Sequence, residues 1–175
     1  MTKLYKLVVT GAFNAGKTTF VKTVSSLPVV STDKATRLKT EARVKSATTV
    51  ALDYGQVKIN GSLKVHLFGT PGQARFDFMH ELLADGMHGF IFLVDASDPG
   101  RLTQAGELLA QFKKRGNTPY LLVANKADHK VLSDAEIRKR FNLPAQQPVI
   151  SCVATDKNSA QTVVERMVAL IEARY

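Results

Sequence analysis

Six apolar, β-branched runs recur along the chain: LYKLVVT, TVALDY, LKVHLF, GFIFLVD, PYLLVAN and PVISCV. Most are separated by segments of helical length and periodicity, a pattern that predicts parallel strands with crossover helices and hence an α/β fold. One interval differs. Residues 50–59 and 63–68 are joined only by Asn60, Gly61 and Ser62, too few for a crossover, and Asn-Gly favours a tight reversal, so this pair is expected to be antiparallel. Helix signals fit the same scheme: Asp98 before Pro99 as N-cap and first helical residue, Ser133 with Glu136 as a capping box, and apolar spacing over residues 163–171. There is no internal repeat or linker, and 175 residues suit one domain spanning 1–175. Residues 27–48 form the one long interval without a clear core pattern. It is basic and Thr-rich, of a length usually reserved for functional or mobile loops.

Composition narrows the setting. Hydrophobic residues make up 45% and charged residues 22%, as in ordinary globular proteins. The 24 Lys and Arg exceed the 15 Asp and Glu, leaving a formal charge of +9 that favours acidic partners, anionic surfaces or polyphosphate ligands. The basic residues are scattered. Their densest group, Lys34, Arg37, Lys39, Arg43 and Lys45, is interrupted by Asp33 and Glu41, which suggests a solvated face rather than a nucleic-acid patch. Cys152 is the only cysteine, so no intrachain disulfide is expected and a reducing, cytoplasmic location follows. No run approaches the ~20 apolar residues that span a bilayer, and MTKLYKLVVTG lacks a signal-peptide core, so no integral membrane segment is expected. Thr2 and the EARY ending also offer no lipidation signal.

The chemistry begins after the first strand. GAFNAGKT, residues 11–18, precedes the helical TFVKTVS, matching the GxxxxGKT/S phosphate loop in the strand-loop-helix context it requires. Gly11 opens the loop. Backbone N–H groups of Asn14, Ala15, Gly16, Lys17 and Thr18 can ring a β-phosphate at the helix N-terminus, with the Thr19 amide toward the α-phosphate. The Lys17 ammonium can bridge β- and γ-phosphates, and the Thr18 hydroxyl can ligate Mg2+. The base is read from VANKAD, which places Asn125, Lys126 and Asp128 just after a strand, on the edge where doubly wound sheets bind ligands. Asp128 discriminates: an acceptor-only carboxylate suits guanine N1–H and its exocyclic amino group and repels the acceptor N1 of adenine. Lys126 can lie along the base.

With GAFNAGKT, Thr48 or Thr49, TPGQ, NKAD and SCVA in order, the chain resembles a Ras-like small GTPase from end to end. The resemblance implies a P-loop NTPase fold: a six-stranded mixed sheet with one antiparallel edge strand and helices on both faces. It further implies GTP and GDP as ligands, Thr49 as the threonine reaching Mg2+ and the γ-phosphate (Thr48 as fallback), and Gly72 facing the γ-phosphate. Cys152, Val153 and Ala154 would form the second base-side segment, with the Val153 N–H near the guanine carbonyl. Residues 27–48 become the first switch, and the segment from Gly69 to about Met79 the second.

Within that family the chain is most similar to the prokaryotic branch that includes the gliding-motility polarity GTPase MglA. The resemblance rests on a departure at FGTPGQ, residues 68–73. Typical members carry DxxG, whereas here Gly69 stands where the acid positions a magnesium-bound water. Because the second and third strands run antiparallel, the start of the second lies beside Gly69, and Asp53 is close to that start. Asp53 is therefore a candidate to supply the missing carboxylate toward Mg2+. Asp95, which ends GFIFLVD, is the rival.

Gln73 occupies the position that orients attacking water, and Arg75 is a further candidate. Phe13 places a large ring where a partner's arginine would enter. Slow intrinsic GTP hydrolysis is expected, accelerated by a partner, since an arginine finger contributes on the order of 10³ to 10⁵ in rate. The resemblance suggests a roadblock-type regulator, with an effector that the sequence does not name. The alternative is a nucleotide-binding scaffold without useful turnover, motivated by Gly69 and Phe13.

Overall fold

The computed structural model describes residues 2–31, 52–71 and 78–175. Its strands are β1 (Lys3–Gly11), β2 (Val30–Ser31), β3 (Asp53–Ile59), β4 (Leu63–Gly69), β5 (Gly89–Asp95), β6 (Tyr120–Asn125) and β7 (Val149–Ser151). They form one mixed sheet in the order β2-β3-β4-β1-β5-β6-β7. The six expected strands are present. The two-residue β2 is additional, pairing antiparallel with β3 at Val30 and Ser31; a pair of residues is too short to show any period in the sequence.

From β4 through β7 every neighbouring pair is parallel, whereas β3 and β4 pair antiparallel, with Ile59 opposite Leu63 and Asp53 opposite Gly69. The hairpin turns through Asn60 at φ 50° and Gly61 at φ 69°. Both are left-handed, the conformation for which Asn and Gly are the least penalised residues.

Alternation along the central strands divides the core between two faces. On one, Leu7 and Val9 of β1, Leu67 of β4 and Ile91 and Leu93 of β5 pack under α1 (Lys17–Val24) and the C-terminal α5 (Lys157–Glu172). α5 contributes Val163, Val164, Met167 and Ile171, the helical spacing seen in the sequence. On the other face, Val8, Phe90, Phe92 and Val94 pack under α3 (Leu102–Lys113), with Leu83 of α2 (Phe78–Ala84) and Ile137 of α4 (Asp134–Arg140). β5 and β6 are buried along their whole length and apolar but for their last residues, Asp95 and Asn125, the signature of strands covered on both sides. The parallel strands therefore deliver the loops after β1, β5, β6 and β7 to one edge, where such sheets bind ligands.

Helix starts follow the expected chemistry. Asp98 Oδ1 accepts from Gly100 N at 3.1 Å, capping a short 3₁₀ turn (Pro99–Arg101) that leads into α3. At α4, Ser133 Oγ accepts from Glu136 N at 3.2 Å while Glu136 Oε2 accepts from Ser133 N at 2.7 Å. Ser133→Ala removes one half of this box and should cost about 1 kcal/mol, lowering the thermal midpoint by roughly 2–4 °C in a chain of this size. An unchanged midpoint would show that the cap contributes nothing.

Candidate functional site

The phosphate loop is shaped by three residues that cannot take ordinary backbone or bulk. Gly11 has φ 144°, and a Cβ there would sit 2.2 Å from the Leu93 carbonyl oxygen. Gly16 has φ 98°, and its Cβ would meet Asn125 Nδ2 at 2.3 Å. Between them Asn14 is left-handed at φ 63°. The loop leads into α1, whose N-cap residue Gly16 offers no side-chain cap, leaving first-turn N–H groups without the side-chain acceptor that usually serves them.

Lys17 folds back over this loop. Its Nζ donates to the carbonyls of Gly11 at 2.6 Å and Ala12 at 2.8 Å, and the residue is buried. Burial lowers its pKa from 10.5 to about 8, against the opposing pull of the nearby Asp53 carboxylate.

Asp53 lies next to the loop from the neighbouring strand. It is buried, and its Oδ2 accepts the Thr18 hydroxyl at 2.5 Å. A Cβ on Gly69 would fall 3.2 Å from Asp53 Cβ and 3.6 Å from Oδ2. A side chain at 69 would thus enter the space that Asp53 occupies. Asp95 is employed elsewhere: its Oδ2 accepts from Lys126 Nζ at 2.6 Å, and its Oδ1 from Ser97 N at 2.9 Å and Ser97 Oγ at 2.5 Å. Burial pushes the Asp95 carboxyl up, but the bonds from Lys126 and Ser97 outweigh it and hold the group below its ordinary range.

The loop after β6 is stapled to the phosphate loop. The buried Asn125 donates from Nδ2 to Ala15 O and accepts at Oδ1 from Ala154 N, both at 2.9 Å. Lys126, left-handed at φ 59°, donates to Asn14 O at 3.1 Å as well as to Asp95. Asp128 stands half exposed, with His129 Nε2 3.6 Å from its Oδ2.

The segment after β7 differs from expectation in one respect. The Cys152 N–H is held by Ala124 O and the Val153 N–H donates to Ser159 Oγ at 2.9 Å, so a base carbonyl taking the Val153 N–H must displace that hydroxyl. Cys152 is buried, and burial raises its thiol pKa.

The structure thus brings together Gly11, Asn14, Ala15, Gly16, Lys17, Thr18, Asp53, Asn125, Lys126 and Ala154 through direct contacts. Thr48, Thr49, Gly72, Gln73 and Arg75 lie outside the described residues. Residues missed by sequence reasoning are Ser97, Ser159 and Arg101. Arg101 donates from Nη1 to Phe13 O at 3.3 Å, sets its guanidinium 5.9 Å from the Phe13 ring, and pairs with Asp98 at 2.9 Å. Arg101 and Phe13 lie 88 residues apart, so no local motif marks their contact.

Fold and site together define a nucleotide-binding chain of the GTPase-like class. Residues 28–174 match the family described as "conserved hypothetical ATP binding protein", and the chain belongs to that family. It is 29% identical over 164 residues to an uncharacterized protein of Methanocaldococcus jannaschii, covering 94% of this chain and 95% of that one. It is 27% identical to ADP-ribosylation factor-like protein 3 of Saccharomyces cerevisiae, over 81% of this chain and 70% of the relative. Human ADP-ribosylation factor-related protein 1 is 29% identical over 79% and 67% respectively. Among the described residues, no helix is long and apolar enough to cross a membrane.

The buried Lys17 yields a signed prediction. Its folded pKa of about 8 lies below the ordinary 10.5, so the folded state binds fewer protons between these values and stability rises with pH across that window. The cost of the buried cation is fully present below pH 8. Lys17→Met should therefore stabilise the nucleotide-free protein below pH 8 by roughly 1–3 kcal/mol, with the gain shrinking as pH rises toward 10.5. Thermal melts at pH 7 and pH 9.5 measure it; a variant less stable at pH 7 would contradict the assignment.

Proposed function

We propose that the chain is a guanine-nucleotide switch: a single G domain that binds GTP and GDP with Mg2+ and hydrolyses GTP slowly. The observation that carries this is the stapling of the NKAD loop to the phosphate loop, through Asn125 to Ala15 O and Lys126 to Asn14 O. It makes a base site and a phosphate site into one rigid unit. The likeness to proteins named as ADP-ribosylation factor-like and -related agrees with the Ras-like pattern of motifs. The closer likeness to the prokaryotic polarity branch rests on TPGQ preceded by Gly69.

In this reading the amides of residues 14–18 receive the β-phosphate, and the Thr19 amide the α-phosphate. Lys17 exchanges its two loop carbonyls for β- and γ-phosphate oxygens, which restores its full charge. Asn125 and Lys126 frame the base, Asp128 accepts from guanine, and residues 152–154 close the base side. The family description names ATP, but an acceptor-only side chain at 128 favours guanine. Ser159 releases the Val153 N–H if the base carbonyl takes it.

The Thr18 hydroxyl and Asp53 carboxylate are hard oxygen donors 2.5 Å apart, a donor set suited to Mg2+, which typically keeps several waters and one or two carboxylates. When bound, Mg2+ supplies neutralisation of β- and γ-phosphate charge. Asp53 would hold one of its waters, and Thr18 with Thr49 would ligate it directly. Gln73 would orient the attacking water and Gly72 the γ-phosphate. A partner, of roadblock type by resemblance, would complete the charge stabilisation, and an effector would read the switches. A cytoplasmic setting accords with the free, buried Cys152.

A second reading, a nucleotide scaffold without turnover, is favoured by Phe13, 57% exposed at the mouth of the phosphate loop, where it would obstruct an entering arginine. Competition binding separates the possibilities. GTP and GDP should displace a fluorescent guanine nucleotide and ATP should not, and Asp128→Ala should weaken GTP binding by at least about tenfold, the scale of lost hydrogen bonds to a charged acceptor. Tighter binding of ATP would refute the guanine assignment. Single-turnover hydrolysis by wild type that falls at least about tenfold in Gln73→Ala supports the switch, since positioned groups of this kind contribute 10²–10⁴; tight binding with no turnover, alone or with partner, supports the scaffold.

A further inference from the structure

At the point where the β1–β4 ladder ends, two hydroxyls meet inside the protein. Thr10, 0% exposed, is the last residue of β1 before Gly11, and Thr70, 4% exposed, follows the last residue of β4. Thr70 N donates to Val9 O at 2.9 Å, extending the ladder by one bond. Thr70 Oγ1 donates to Thr10 Oγ1 at 3.0 Å. The preceding residues of β1, Leu7, Val8 and Val9, are apolar and fully buried, so a hydroxyl in the next position is unexpected on packing grounds. Leaving one buried hydroxyl without a partner is costly, whereas replacing both partners by apolar groups of the same shape is nearly neutral. Stability therefore gives no reason to keep the pair. Its specific effect is geometric: it locks Thr70 sideways as well as lengthwise against the strand that opens the phosphate loop.

We propose that Thr10 and Thr70 are positioning residues that tie the root of the phosphate loop to the root of the TPGQ segment, and so set how the protein distinguishes GTP from GDP. The inference rests on the nucleotide reading above. Gly11, next to Thr10, opens the β-phosphate cradle. Gly72, two residues after Thr70, is the group that reading sets against the γ-phosphate. Loosening the joint leaves the β-phosphate cradle intact, held as it is by Asn125 and Lys126, and shifts the origin of the γ-phosphate contact. Diphosphate binding should not feel the change; triphosphate binding should.

The test is the affinity of the full chain for fluorescent GDP and for GTPγS, with Mg2+, in wild type, Thr10→Val, Thr70→Val, the double variant and Thr10→Ser. Thr10→Val is nearly isosteric, and Thr10→Ser keeps the hydroxyl. Thr10→Val and Thr70→Val should each weaken GTPγS by about tenfold, the scale of one hydrogen bond to a charged acceptor. GDP affinity should stay within about twofold, far below that tenfold step. The double variant should be no worse than either single one, and Thr10→Ser should restore most of the discrimination. Equal loss for both nucleotides would reduce the pair to a packing role, and no loss for either would remove it from the site; both results overturn the proposal while leaving the nucleotide reading intact. Failure of the wild type to bind guanine nucleotides would instead overturn the functional reading, and this inference with it.

Discussion

The antiparallel register of β3 on β4 sets Asp53 directly opposite Gly69, and the organisation of the phosphate side depends on that pairing. A carboxylate reached from β3 and one reached from β4 compete for the same small volume, as the 3.2 Å approach of a Cβ on residue 69 to Asp53 Cβ shows. A side chain at both positions would crowd the pair. Here the glycine on β4 leaves room for the aspartate on β3, which takes the Thr18 hydroxyl. In the proposed reading Asp53 stands in for the acid absent from FGTPGQ, and the register of the hairpin is what brings it beside Gly69. A slip of one residue would turn Asp53 to the other face of the sheet.

Electrostatics around that carboxylate explain why the loop is poised. Lys17 buries its charge against two carbonyls with one anion nearby, and its pKa falls to about 8. This is a strained compromise for a cation, and it is relieved by any ligand that brings several negative oxygens into the loop. On the opposite side, the Asp95–Lys126 pair and the two bonds of Asn125 are already satisfied.

Much of this was legible in the sequence. The six strand runs carried their identity in β-branched, apolar composition, the hairpin in Asn60-Gly61, and the cap of α4 in Ser133 and Glu136. The phosphate loop was readable because glycine is demanded by backbone at Gly11 and Gly16, so chemistry and conformation wrote the same residues. Asp53 could be nominated from topology alone, because its adjacency to Gly69 follows once the hairpin is antiparallel. Contacts without a local signature were not legible. Arg101 on Phe13 and the use of Asp95 by Lys126 join segments that meet only after the sheet has formed, and Ser159 on the Val153 N–H is a local turn contact with no sequence motif of its own. The short β2 was hidden for a different reason, since two residues make no pattern.

We propose that Asp53 on β3 supplies the metal-side carboxylate that Gly69 on β4 lacks. This is tested by the magnesium affinity of the GDP-bound protein in wild type, in Asp53→Gly, and in the reciprocal swap Asp53→Gly with Gly69→Asp. The single variant should bind Mg2+ more weakly by about tenfold or more, as for loss of a charge-assisted contact, and the swap should recover most of the loss by returning the acid to β4. Unchanged affinity in Asp53→Gly would contradict the account.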